Sequence, residues 1–310
     1  MKLRMILGGV CMLTAASAVM SSCSTASANG ETPAKKEVGL QLYSMRGLMA
    51  PGAKYENNLP ALLDTLGKMG YTHFEAANYD AGNGTFYGLK PEEFKKAAED
   101  AGVKITSSHT GRTLSPEEIK SGDMSELTAW WDKAIADHKA AGISYIVVPG
   151  VWTPATLAEL QKQCEAFDEI GRRCAGQGVK FGYHNHSFEF NKIEDVPMLD
   201  YMIEHTDPEN VLFEMDVYWA VIGDASPVDY FNKYPGRFKL LHIKDRREIG
   251  QSGMVGFDAI FNNADKAGME GYYVEIEEFT NGEENGAKES VDYLVGADYV
   301  KPSYAKAANN

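Results

Sequence analysis

Val211-Leu212-Phe213-Glu214-Met215-Asp216, then Phe238-Lys239-Leu240-Leu241-His242-Ile243-Lys244, then Tyr272-Tyr273-Val274-Glu275-Ile276-Glu277: three short, largely apolar runs, each closing on ionisable residues. Runs of this length and composition read as buried strands. One residue in two faces the same side of a strand, so Glu214 and Asp216 can share a face, as can His242 and Lys244, and Glu275 and Glu277.

Five further runs of the same kind precede them, at residues 38–43, 71–76, 103–108, 143–148 and 179–184. Their starts lie roughly 30 to 40 residues apart, the size of one strand-plus-helix unit. Gly70, Gly102, Gly142, Gly178 and Gly268 stand just before strands, where a helix C-cap hands the chain back to the sheet. Between the strands, Leu59, Leu62, Leu63, Leu66 and Met69 follow helical spacing. Pro91-Glu92-Glu93, Ser115-Pro116-Glu117-Glu118 and Ser226-Pro227 read as helix starts, the second leading into a longer helical region that ends near Ala141. Eight such alternations predict a parallel sheet. No Gly-x-Gly-x-x-Gly follows the first strand, and the unit count matches closure. The fold expected is α/β, a single (β/α)8 TIM barrel over residues 38–310, using most of a 310-residue chain.

The first residues are of another kind. Lys2 and Arg4 precede an apolar stretch at residues 5–20, of secretory length and too short to favour a permanent span. Ser21-Ser22-Cys23 resembles a loose lipoprotein box, and Ala26-Ser27-Ala28 fits ordinary cleavage. The expectation is a lipoprotein-type signal peptide over residues 1–22, a lipidated Cys23, and a flexible tether over residues 23–37. The protein is then exported and periplasmic, touching the membrane only through a lipid anchor. Cys164 and Cys174 lie ten residues apart in one apparent helix, roughly 15 Å. That is too far for a disulfide. Without Lys2 and Arg4 the body carries 28 basic against 44 acidic residues, near −16. This disfavours nucleic acid and anionic membrane surfaces as partners.

Working residues of such barrels come from the C-terminal ends of strands. Here those ends offer Gln41 and Tyr43, Glu75, His109, His184 and His186, Glu214 and Asp216, His242 and Lys244, and Glu275 and Glu277. A carboxylate–imidazole–carboxylate shell from three adjacent strands suits one divalent metal ion: Mn²⁺, Co²⁺, Mg²⁺ or Zn²⁺. Each residue also has a plainer reading. Asp216 and Glu275 could pair with Lys244 or Arg246, Lys244 with Asp245, and His242 could be a core histidine. Trp152, Tyr218 and Trp219 could form a sugar-stacking wall or simply pack. Trp130-Trp131 fits the core.

The chain resembles the xylose isomerase-like barrels, also called sugar phosphate isomerases/epimerases, over about residues 38–280. The matching segments are Gly39-Leu40-Gln41-Leu42-Tyr43-Ser44, Tyr183-His184-Asn185-His186-Ser187-Phe188-Glu189-Phe190, Asp216-Val217-Tyr218-Trp219, His242-Ile243-Lys244-Asp245 and Val274-Glu275-Ile276-Glu277. The resemblance implies one metal held by Asp216, His242 and Glu275 and a fourth ligand near the end of strand five. Many relatives carry Glu-Asn-His there; this chain has His184-Asn185-His186, so the fourth ligand is His184 or, folding back, Glu189. His186 matches a substrate-contacting or proton-transferring position. Gln41, Tyr43, Glu75, His109, Trp152 and Trp219 are expected to line the substrate pocket.

The function expected is a divalent-metal-dependent isomerase or epimerase of a non-phosphorylated sugar. It would work by proton abstraction next to a metal-bound carbonyl, with His186 or Glu277 as base and Lys244 as a substrate-binding cation. A 3-keto-glycoside lyase acting by β-elimination is the alternative within the family. A non-catalytic sugar-binding lipoprotein is the alternative from another class. A metal-dependent nuclease is disfavoured by the acidic charge and few histidines. Nothing in the sequence says whether the chain works alone or as a homo-oligomer.

Overall fold

The structure is a computed structural model that describes residues 34–305. The expected signal peptide, Cys23 and most of the tether lie outside those residues. Residues 35–305 form one compact unit.

Eight strands close into a parallel barrel: β1 (Gly39–Gln41), β2 (His73–Ala76), β3 (Lys104–His109), β4 (Tyr145–Val148), β5 (Lys180–His184), β6 (Val211–Asp216), β7 (Phe238–Lys244) and β8 (Gly271–Glu275). Each pairs with its sequence neighbours, and β1 closes the ring on β8. Helices return the chain between strands, among them Leu59–Met69, Pro91–Asp100, Ser125–Ala140 and Leu157–Gly176. The main core lies between helices and barrel wall, while Val147, Leu212, Leu240 and Tyr273 fill the barrel's lower interior.

Local chemistry explains the boundaries. Asn58 caps the helix Leu59–Met69, and Ser115 caps Pro116–Ser121 in a capping box with Glu118. Gly102, Gly142, Gly178 and Gly268 take left-handed φ where helices end. The single helical region expected after Ser115 is two helices, because Gly122 turns left-handed at φ 71° and stops the first. Strand eight ends at Glu275, not Glu277. Strand one stops at Gln41, whose side-chain oxygen accepts the Tyr43 N–H and starts a 3-10 turn, Leu42–Met45. Cys164 and Cys174 are buried and free.

Two register shifts occur in the barrel: β3 carries an extra residue, Thr106, opposite the Phe74–Glu75 step of β2, and β7 carries an extra residue, Lys239, opposite the Phe213–Glu214 step of β6. A bulge bends and twists the strand that carries the extra residue. Each shift lies beside a glutamate, Glu75 or Glu214, that is fully buried.

Candidate metal and catalytic centre

The upper interior is polar. Asp216, at the end of β6, is level with His242 on β7, and Lys244 of β7 is level with Glu275 on β8. Asp216, His242 and Glu275 are buried and each offers one donor atom, all within 4.8 Å of one another. His184 on β5 joins them from the side, its Nε2 4.0 Å from Asp216 Oδ2. The expected ligands His184, Asp216, His242 and Glu275 are thus gathered at one place.

A second constellation lies directly beneath. Glu214 Oε2 is 2.6 Å from His109 Nε2, 3.1 Å from His184 Nδ1 and 3.2 Å from His242 Nε2. Glu75 Oε2 is 2.6 Å from His242 Nε2 and 3.2 Å from His109 Nε2, and it accepts the Gln41 amide at 2.7 Å. Glu75 Oε1 takes the Ser107 hydroxyl at 2.5 Å. Two buried carboxylates therefore receive N–H groups from three imidazoles. These short contacts place an N–H on His184 Nδ1 and on His242 Nε2, both aimed downward. The opposite nitrogens, His184 Nε2 and His242 Nδ1, then face Asp216 and Glu275. Ring nitrogens held on one side by carboxylates, with the other side turned to further donors, are what metal-ligating histidines need. The upper contacts are the looser ones: His242 Nδ1 is 3.4 Å from Glu275 Oε2, and His184 Nε2 is 4.0 Å from Asp216 Oδ2.

Asp216 shows the same polarity. Its Oδ1 accepts the Trp219 N–H at 2.8 Å and caps the helix Val217–Ile222. Its Oδ2 is buried with no hydrogen-bond partner. Such an atom is costly unless a cation meets it. Burial pushes the Asp216 carboxyl up to about 7, against the pull of Lys244. Burial would also raise Glu275, but Lys244 and His242 outweigh it and hold that carboxyl well below the usual range. Burial alone would lower His242, yet Glu214 and Glu75 hold it well above its ordinary value. His184 is driven well below its ordinary value by burial and by the positive His242.

Lys244 Nζ lies 3.2 Å from Glu275 and 3.3 Å from Glu277, with the Trp219 ring 5.9 Å away. Glu277 reaches the site from the loop beyond β8. Asp245, weighed as a partner for Lys244, instead accepts the backbone N–H groups of Arg246, Gly250 and Ser252 and shapes the loop after β7. His186 stands beside His184 with its Nδ1 buried and unpartnered. Its ring stacks on Phe188, and Trp219 lies 5.9 Å away. Burial lowers His186 to about 4, so the imidazole is neutral near pH 7.

Other expected site residues lie further out. Glu189 is buried, but Tyr183 Oη donates to its Oε1 and the His186 N–H to its Oε2, so it is turned to the outer side of β5. Trp152, in the loop beyond β4, donates its indole N–H to the carbonyl of Leu114, in the loop beyond β3. Tyr43 is exposed at the rim, under the Arg46 guanidinium. Trp131 is core, as its apolar helix position suggested. Glu214 is a further site residue, which its period-two relation to Asp216 places on the inner face.

Comparison with known proteins agrees with this architecture. The family described as xylose isomerase-like TIM barrel matches residues 63–296. An inosose dehydratase of Salmonella agona (strain SL483) is 23% identical over 225 residues, covering 68% of this chain and 70% of that protein. The crystal structure of a sugar phosphate isomerase/epimerase from Parabacteroides distasonis ATCC 8503 superposes with a TM-score of 0.78 at 35% identity, covering 89% of this chain and 99% of that one. The IolI protein with a bound zinc atom shares the fold, with a TM-score of 0.65 at 13% identity, covering 87% of this chain and all of that one. With most of its length matched to that family, this chain belongs to the xylose isomerase-like TIM barrel family.

Proposed function

We propose that the chain is a divalent-metal-dependent isomerase or epimerase acting on a carbohydrate, with His184, Asp216, His242 and Glu275 as the metal ligands. The observation that carries this is the pair of histidines anchored from below by Glu214 and Glu75, with their other nitrogens facing two buried carboxylates. Two imidazoles and two carboxylates suit manganese, cobalt or zinc. Bound there, the ion supplies Lewis acidity toward a carbonyl and an adjacent hydroxyl.

The chain's own residues do the rest. His186 offers a neutral, unpartnered ring nitrogen at the mouth, the form of imidazole that accepts a proton from carbon. Glu277, held by Lys244 on the far side of the site, is the complementary group for returning a proton. Lys244, between two carboxylates, keeps positive charge where negative charge develops on substrate oxygens. Return to a neighbouring carbon isomerises, and return to the opposite face epimerises. Elimination of a β-substituent is the second reading, favoured because the curated relatives bear the name of a dehydratase. Lys2, Arg4 and Cys23 support export and lipidation, and with them a non-phosphorylated substrate.

Elemental mass spectrometry on the purified domain tests the centre. About one equivalent of manganese, cobalt or zinc is expected in the wild type, and none in Asp216→Ala/His242→Ala. No metal in the wild type after incubation with Mn²⁺, Co²⁺ and Zn²⁺ in turn would sink the reading and favour a sugar-binding lipoprotein.

A further inference from the structure

A cavity of about 320 Å³ opens where the chain leaves β1 and β2, and its wall includes Tyr43, Arg46, Asn57, Asn58, Asn78 and Tyr87. That volume falls in the ~300–1,000 Å³ range of small-molecule sites. It lies on the same end of the barrel as the metal-type centre and is tied to it. Gln41, which accepts the Tyr43 N–H, donates to Glu75; Arg46 donates to the Glu277 carbonyl at 3.2 Å. Asn78 is three residues beyond Glu75, at most about 10 Å of extended chain. None of His184, Asp216, His242 and Glu275 lines the cavity.

The cavity is built rather than incidental. Asn57 and Tyr87, both in its wall, have φ of 51°, a left-handed backbone that is sterically costly for a bulky residue such as tyrosine. Tyr87 is held there by two bonds: its Oη accepts the Ala77 N–H at 3.0 Å, and its own N–H donates to the Asn78 carbonyl at 3.2 Å. Strain maintained in this way concentrates at binding sites. The chemistry of the wall is also selective. It presents the rings of Tyr43 and Tyr87 and the amides of Asn57, Asn58 and Asn78, with no carboxylate among the lining residues. Its one cation, Arg46, is turned onto the Tyr43 ring at 4.3 Å and onto two backbone carbonyls. Aromatic faces with amides around them fit a neutral, hydroxylated ring.

We propose that this cavity is a subsite for a second sugar ring, so that the substrate is a disaccharide-like glycoside whose first ring reacts at the metal-type centre. The proposal rests on the carbohydrate reading above. The amides of Asn57 and Asn78 bond its hydroxyls while Tyr43 and Tyr87 cover its faces.

The test is calorimetric titration of the metal-loaded protein with D-glucose, cellobiose, maltose and trehalose. Asn78→Ala and Asn57→Gly are titrated alongside; both positions are exposed, and glycine accepts the backbone of residue 57. At least one disaccharide is expected to bind ten-fold or more tighter than D-glucose, and that ratio is expected to fall toward one in the variants. Disaccharides no tighter than D-glucose, or a ratio unchanged by both substitutions, would overturn the second-ring subsite alone. Failure of all four sugars to bind a protein with its metal content intact would overturn the carbohydrate reading together with it.

Discussion

Glu214 is the side chain on which the centre's geometry turns, because one carboxylate oxygen receives imidazole nitrogens from His109, His184 and His242. Replacing it by glutamine removes the anion that fixes both upward-facing nitrogens. Removing such a partner weakens metal binding by about 10- to 100-fold. Glu214→Gln is therefore expected to lose that much Co²⁺ or Zn²⁺ affinity in a competition titration against a chelating dye. Glu189→Gln, whose parent side chain serves Tyr183 and the His186 N–H, is expected to stay within about three-fold, while His184→Ala falls with Glu214→Gln. A large loss for Glu189→Gln with none for His184→Ala would exchange their roles. The sequence made Asp216, His242 and Glu275 legible because period-two spacing sets which way a strand residue points. It left His184 and Glu189 open because Glu189 follows the strand, where direction depends on Tyr183, a partner that spacing does not show. The direction of Glu214 is legible by the same spacing, but its role is not, since its partners His109, His184 and His242 stand on strands distant from it in sequence.

Element boundaries are legible in the sequence where one local signal dominates and less so where two compete. Strand β6 and strand β7 have the boundaries expected from their apolar runs. Strand β8 is cut short at Glu275: in the apolar run 272–277 the Ile276 N–H is taken by the Ser44 hydroxyl rather than by a strand. Packing between elements was invisible to periodicity, and Gly171 shows why. It lies in the long helix Leu157–Gly176, where alanine is ordinarily the better helix former. A Cβ at that position would overlap the carbonyl oxygen of Asn210, in the turn that leads into β6. Gly171→Ala is thus expected to destabilise by about 1–3 kcal/mol despite the gain in propensity, because the helix must move off a backbone it touches. Urea unfolding checks the sign. An unchanged or higher midpoint would mean that the helix and the turn separate at little cost.

At the scale of the whole molecule, closure is legible from counting: eight units, glycine hand-backs, and a concentration of carboxylates and imidazoles at the strands' C-terminal ends. The reach of acid across the fold follows from two histidines that have no part in the centre. His138 is buried in the helix Ser125–Ala140, its Nδ1–H donating to the Ala134 carbonyl at 2.7 Å, its Nε2 unpartnered, between the rings of Tyr79 and Phe86. His73 opens β2 at the opposite end of the barrel from the metal-type centre, packed on the Tyr273 ring. Burial lowers each to about 4, whereas an unfolded histidine titrates near 6.5. Between those values the unfolded chain binds protons that the folded chain refuses, so stability rises with pH through that window. Their contribution is full above about pH 6.5 and is lost as the pH falls toward 4, on the order of 2 kcal/mol for each histidine by pH 5. Urea midpoints measured from pH 7 to pH 5 are expected to fall for the wild type. His138→Gln, which cannot take up a proton, is expected to fall less steeply by about one histidine's share, whatever its starting stability at pH 7. Parallel slopes for the two proteins would assign the acid sensitivity to the carboxylate–imidazole cluster of the barrel interior and clear the outer histidine of it.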